Sequence, residues 1–275
     1  GTPIEPAKPP AIDATLLLQH TTVLASDGYE GRAPGSKGED LTVAYLEDQL
    51  RKLGLKPGNT DGTYIQKVPL VGITPEPHPP FVVRKGSREL KLKPEEDFVA
   101  WTKHVAEMAR LDNTELIYVG YGIVAPEFGW DDYKDIDVKG KTLVMLVNDP
   151  PVADPADPTK LDSKVFGGDA MTYYGRWTYK YEIGAEKGAA GVIIVHETGP
   201  AGYPFAVLQS SRASEQFDLV TPDKNMGRVD VEAWLSLGIG GLSPMRRGTR
   251  HSQLRRHGGR LSEMRKSSVR KRSPD

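Results

Sequence analysis

The sequence predicts an α+β fold: a short helical segment, then a β-rich region with one βαβ element, then a disordered basic tail. Three observations carry this expectation. Apolar residues recur at helical spacing before residue 55. From Tyr64 onward, short apolar and aromatic runs alternate with Pro and Gly turns. After Leu242 all periodicity stops.

Residues 1–12 read as a Pro-rich extended leader. Asp13 is placed to cap a helix that carries Leu16, Leu17, Leu18, Val23 and Leu24 and stops near Ser26-Asp27-Gly28. Turn chemistry follows at Gly31–Ser36. Val43, Leu46, Leu50 and Leu53 then share one face of a second helix, with Gly54 as its C-terminal cap. Two helices this short cannot make a core alone and must pack on something else. A strand interrupted by Pro69 is expected over Tyr64–Ile73, and the prolines at 75, 77, 79 and 80 mark a linker, so the first segment runs over 13–74 and a second region over 75–242.

Within 75–242, Phe81–Arg84 and Glu89–Lys93 flank Lys85-Gly86-Ser87-Arg88 as a hairpin. Strands are expected at Asp97–Trp101 and Leu116–Tyr121. Thr142–Val147 is a nearly continuous apolar run, the mark of a strand buried on both faces. The Pro- and Asp-rich stretch Asp149–Asp162 reads as a loop, and Tyr174–Lys187 as a helix ended by Gly188. Ala190–Val195 is a second buried strand, so strand, helix and strand make one βαβ crossover in an otherwise antiparallel region. Val229–Leu237 is ordered, as strand or helix start.

The formal net charge of −1 averages two unlike pieces. Residues 243–275 hold nine Arg and two Lys against two acidic residues, a net of +9, while 1–242 carries 25 basic and 35 acidic residues, a net of −10. The tail has five clearly apolar residues and no aromatic one, too few to fold alone. Its charge invites a nucleic-acid partner, but without aromatics there is no base stacking, and without apolar period no membrane-surface helix. Cysteine is absent, which excludes disulfides, thiolate zinc sites and a cysteine nucleophile. No apolar run reaches membrane-span length, and Gly1–Pro10 has no apolar h-region, so neither a span nor a signal peptide is expected in the chain as it stands.

Motifs with compact chemistry are missing. The six histidines (His20, His78, His104, His196, His251, His257) form no His-Glu-x-x-His pattern. His196-Glu197 ends a buried strand and reads as a polar end meeting solvent. Asp131, Asp132, Asp135 and Asp137 cluster around Trp130 but lack calcium-loop spacing, so an acidic turn with Trp130 tucked inward is preferred. There is no nucleophile elbow, phosphate loop or dinucleotide fingerprint. Tyr173, Tyr174, Trp177, Tyr179 and Tyr181 surround Arg176 and Lys180. They read first as the aromatic face of a helix on a sheet. As a candidate ligand or interface surface the sequence offers Trp130, Asp131, Asp132, Tyr174, Arg176 and Trp177; it offers no catalytic residue and no metal ligand.

Leu24-Ala25-Ser26-Asp27, Glu30-Gly31-Arg32-Ala33-Pro34-Gly35-Ser36 and the helix ending Leu53-Gly54-Leu55 resemble the start of secreted zinc-dependent aminopeptidases. That group includes bacterial leucyl aminopeptidases and glutamate carboxypeptidase. Gly120-Tyr121-Gly122-Ile123, Gly129–Tyr133, Val138–Lys141 and Ala185–Val195 resemble the protease-associated (PA) domain inserted in many of them. Met171–Tyr181 is similar to one branch. The likeness covers about residues 13–242.

The resemblance implies a parent enzyme that removes N-terminal residues from peptides. Two zinc ions held by His and Asp/Glu would activate a bridging water, with a Glu as general base. In the family those residues follow the PA domain, whose role is to cover the active-site cleft and influence access. None of this chain's residues matches a family zinc ligand. The chain is therefore expected to hold no cofactor and to be inactive by itself, its partner being a peptide or the missing catalytic domain, its place extracellular or periplasmic. Resemblance, period and charge all change near Gly241–Ser243, which makes out-of-frame translation of 243–275 an expectation. A stand-alone peptide- or protein-binding module and a nucleic-acid-associated protein remain as alternatives.

Overall fold

The computed structural model describes residues 11–77, 81–212 and 214–237 and the backbone of 259–262 and 267–270. The fold is α+β, in two compact units, one up to Pro69 and one over Leu70–Lys271. Most of the leader, together with His78, His251 and His257, lies outside the described residues.

The first unit holds two helices, α1 (Ala14–Leu24) and α2 (Lys37–Lys52). Asp13 Oδ1 accepts from the N–H groups of Thr15 and Leu16, the expected N-cap. Ser36 caps α2 by accepting from Glu39 N, while the Glu39 carboxylate takes the N–H of Gly35. At the other end Gly54, at φ +70°, donates to Arg51 O, and Leu55 N donates to Leu50 O. Those two bonds are a Schellman close, which explains the position of Gly54. Gly38 is fixed by space: a Cβ there would sit 2.0 Å from Tyr29 O. His20 Nδ1 and Tyr45 OH, 2.7 Å apart, tie α1 to α2. Few apolar contacts join them. No residue of α1 is buried, and Leu16, Leu17, Leu18, Leu46, Leu53 and Leu55 are exposed.

The second unit runs β1 (Leu70–Pro75), β2 (Phe81–Lys85), β3 (Arg88–Leu92), β4 (Phe98–Trp101), β5 (Glu115–Tyr118), β6 (Val124–Ala125), β7 (Trp130–Asp131) and β8 (Thr142–Leu146). It continues with α3 (Trp177–Glu186), β9 (Gly191–His196), α4 (Thr198–Ala201), α5 (Phe205–Arg212), β10 (Gln216–Leu219) and β11 (Val231–Ser236). Two short strands follow, β12 (Gly259–Ser262) and β13 (Ser267–Arg270). The main sheet has the order β3-β2-β12-β5-β8-β9-β11-β4; β10-β1-β13 and β6-β7 pair separately.

The expected hairpin is β2–β3 around Gly86-Ser87, with Lys85 paired to Arg88. The expected crossover is β8–α3–β9, and its strands pair in parallel. Parallel pairing extends further than one βαβ unit, because β5 with β8 and β9 with β11 are parallel too. The β6–β7 ribbon serves as the first of these return paths, and the α4–α5–β10 stretch as the second. The strand expected from Tyr64 begins only at Leu70, just past Pro69, which has no N–H for a ladder. Val229–Leu237 resolves as strand.

One part of the disordered-tail expectation changes. Two four-residue stretches of 243–275 form strands: β12 pairs with β2 and β5, and β13 with β1. Edge strands offer backbone donors and acceptors regardless of the partner's side chains, so an extended segment without apolar period still finds pairing.

Side chains alternate across the sheet. Leu143, Met145, Val192, Ile194 and Trp234 face α3 and α5, packing with Tyr181, Ile183 and Leu208. Val144, Ile193, Val195, Ala233 and Leu235 face a second core with Phe81, Leu92 and Phe98. Phe81 of β2 stacks on Phe98 of β4, ring centroids 4.7 Å apart, although the two strands lie far apart in the sheet order. The sheet therefore curls over its own second core. Burying each large apolar side chain here contributes about 2 kcal/mol.

Candidate functional site

At the carboxyl ends of β5 and β8, three stretches that carry the family resemblance come together. They are Gly120–Ile123, Gly129–Tyr133 and Met171–Tyr181. Asp132 Oδ2 accepts from Ile123 N at 3.0 Å, and Asp131 Oδ1 from Tyr133 N at 2.9 Å. Tyr179 OH accepts from Val124 N at 3.1 Å, and Tyr174 OH donates to Glu127 Oε1 at 2.7 Å. The centre is Phe166, which sequence reasoning missed because it sits in the loop region before α3. Its ring meets Phe128, Trp130 and Tyr174 edge-on at 4.7, 5.4 and 6.0 Å. Trp130 is thus tucked inward.

Beneath this cluster lies Lys180, wholly buried. Its Nζ donates to Tyr121 O at 2.6 Å and Asn148 O at 3.2 Å. Burial brings its pKa down to about 7, against the opposing pull of Asp149 and Asp132. Asp149 in turn accepts from Thr172 N and Thr172 Oγ1, at 2.6 and 2.9 Å. That closes the long excursion between β8 and α3 at its neck.

The six residues singled out in the sequence do not form one surface. Trp130 and Tyr174 share the Phe166 cluster. The Asp131 and Asp132 carboxylates each bind a backbone N–H. Arg176 is exposed at the start of α3, without a capping bond from its side chain. Trp177 turns the other way, toward Tyr181 at 6.2 Å, on the face of the sheet covered by α5. There Tyr181 OH donates to Ala233 O at 3.1 Å and its ring meets Trp101 at 5.7 Å. The Arg212 guanidinium lies 4.1 Å from the Trp101 ring centre and 5.0 Å from that of Trp177.

Glu232 is buried beside them and accepts from Trp101 Nε1 at 2.8 Å through Oε2. Its other oxygen, Oε1, is buried without a hydrogen-bond partner. Burial raises its pKa to about 7, against the pull of Lys103, Trp101, Arg212 and Arg228. Neither Glu232 nor Arg212 was singled out from sequence. The one available signal was an acid inside the apolar run Val231–Leu235.

His196 departs from the expected solvent-facing strand end. It is only 2% exposed, enclosed by Tyr203, Phe205 and Trp234 at ring distances of 5.5, 5.5 and 5.9 Å. The chain through α4 to α5 folds back over the end of β9 and covers it. Burial lowers the imidazole's pKa.

Among the described residues, no group of three or more His, Asp or Glu side chains converges to hold a metal ion. Among the same residues no helix is long and apolar enough to cross a membrane.

A solved structure, an aminopeptidase from Aneurinibacillus sp. strain AM-1, is similar over 94% of this chain and 45% of its own length. The identity is 18% and the TM-score 0.38. The chain spans less than half the length of that protein. No family model matches the sequence, and no curated protein matches it.

Proposed function

We propose that the chain is a non-catalytic portion of a secreted zinc-dependent exopeptidase. It would comprise the first helices of the peptidase domain and a PA-type domain, and hydrolyse nothing alone. The observation that supports this reading is the meeting of the resemblance-bearing stretches. Gly120–Ile123 and Gly129–Tyr133 flank one short ribbon, and Met171–Tyr181, some forty residues further on, packs onto them around Phe166, Tyr179 and Lys180. The parent activity is removal of N-terminal residues from peptides, and the role of this portion is contact with a peptide or with the catalytic domain.

The test is a zinc titration of the purified chain with a leucyl-anilide turnover assay. Neither stoichiometric zinc binding nor turnover is expected. Tight zinc binding accompanied by turnover overturns the reading.

A further inference from the structure

Arg212 has an unusual position. Its guanidinium is stacked by Trp101 and Trp177, yet it makes no hydrogen bond or ion pair with any described residue. Nε is sealed from solvent without an acceptor. Arg212 also lines a small cleft of about 60 Å³ with Pro75, Pro77, Glu95, Phe98–Ala100 and Gln209. Gln209 Nε2 is occupied by Glu95 O at 2.7 Å, and Arg212 is the one cationic residue among those lining the cleft.

A guanidinium normally satisfies its fork with a carboxylate, often through two parallel bonds. One acid, Glu95, lines the cleft with Arg212, and of the cations nearby Lys103 is paired with Asp218 at 3.1 Å. Lys103, Arg212 and Arg228 all act on the one buried acid nearby, Glu232, which is turned inward to Trp101. Stacking on two indoles fixes the guanidinium plane, so little side-chain freedom remains to be lost on binding. The cleft runs against β4, the last strand of the sheet order. Antiparallel alternation turns the Ala100 backbone away from β11, toward that edge.

We infer that this cleft is a carboxylate-binding site, with Arg212 as its receptor and an extended peptide, laid along β4, as the bearer of the carboxylate. The inference does not depend on the exopeptidase reading. A chain unrelated to peptidases would have the same cleft.

The test uses the full chain and three peptides. One is N-acetyl-trialanine with a free C-terminal carboxylate, the second is its C-terminal amide, and the third is N-acetyl-Ala-Glu-Ala amide. Binding is read by tryptophan fluorescence and by the NMR signal of the Arg212 Nε–H group. A carboxylate peptide should bind about tenfold tighter than the neutral amide, because the bonds formed are charge-assisted. Preference for the first acid points to a C-terminal carboxylate, and preference for the other to an acidic side chain. Arg212→Gln should remove the preference, and Arg212→Lys should keep part of it. Equal binding of acid and amide, binding by neither acid, or an undiminished preference in Arg212→Gln overturns the inference. The acid–amide comparison needs no variant, so it decides the question even if Arg212→Gln does not fold.

Discussion

Two buried ionisable residues, an acid and a base, make the stability of the second unit depend on pH. Glu232 has its pKa raised from 4.5 to about 7, chiefly by burial. Between those values the native state holds a proton that the unfolded chain has released. Its stabilising contribution is therefore full below pH 4.5 and is lost as pH rises to about 7. Lys180 has its pKa lowered from 10.5 to about 7, again by burial. Between 7 and 10.5 the unfolded chain holds a proton that the native state has released, so stability rises with pH across that window. Each effect is on the order of 3–5 kcal/mol. Together they predict a minimum of stability near neutral pH, readable as urea midpoints across the range. Glu232→Gln should flatten the acid side and Lys180→Met the alkaline side; an acid-side slope that persists in Glu232→Gln contradicts the assignment. Sequence alone showed neither burial. Lys180 was legible as a residue among aromatics, but only the fold brings the Tyr121 and Asn148 carbonyls to its amine.

Loops and caps account for most of what the elements do. The excursion from Asn148 to Arg176 has few ladder bonds of its own, only an isolated bridge between Ala153 and Leu161. It is held at the neck by Asp149 on Thr172 and at its far part by Phe166 in the aromatic cluster. Asp149→Ala should remove both neck bonds and make residues 150–170 a site of limited proteolysis, with the sheet left intact. Cleavage at the same rate as in the parent chain would show that Phe166 holds the excursion without the neck. The caps at Asp13 and Gly54, the hairpin and the β8–α3–β9 crossover were legible, because each rests on local chemistry within a few residues, whereas Ser36 read only as turn chemistry and not as the cap of α2. The extra parallel pairings were not. They depend on which strand lies beside which, and no local pattern encodes that. The same limit applies to the candidate site: inward packing of Trp130 was readable from its neighbours, whereas the parting of Tyr174 from Trp177 follows from where β11 and α5 lie.

For the whole molecule, the exposed leucines of the first unit are the main liability. Leu16, Leu17, Leu18 and Leu53 are all more than half exposed. Apolar surface on neighbouring turns of two helices favours self-association. Sedimentation of the chain should show concentration-dependent association, and Leu17→Ser with Leu18→Ser should reduce it; a monomer at all concentrations would disprove this. The main sheet carries a different consequence. Its β5-β8-β9-β11-β4 portion is complete in sequence by Ser236, whereas the bond ladder joining β2 to β5 needs Gly259–Ser262. A chain leaving the ribosome would thus assemble its parallel centre first, with the β2–β3 hairpin resting on it only through the second core, by Phe81 and Leu92. The ladder between them would be sewn only after Gly259–Ser262 emerge, and the β1–β13 pairing would come later still.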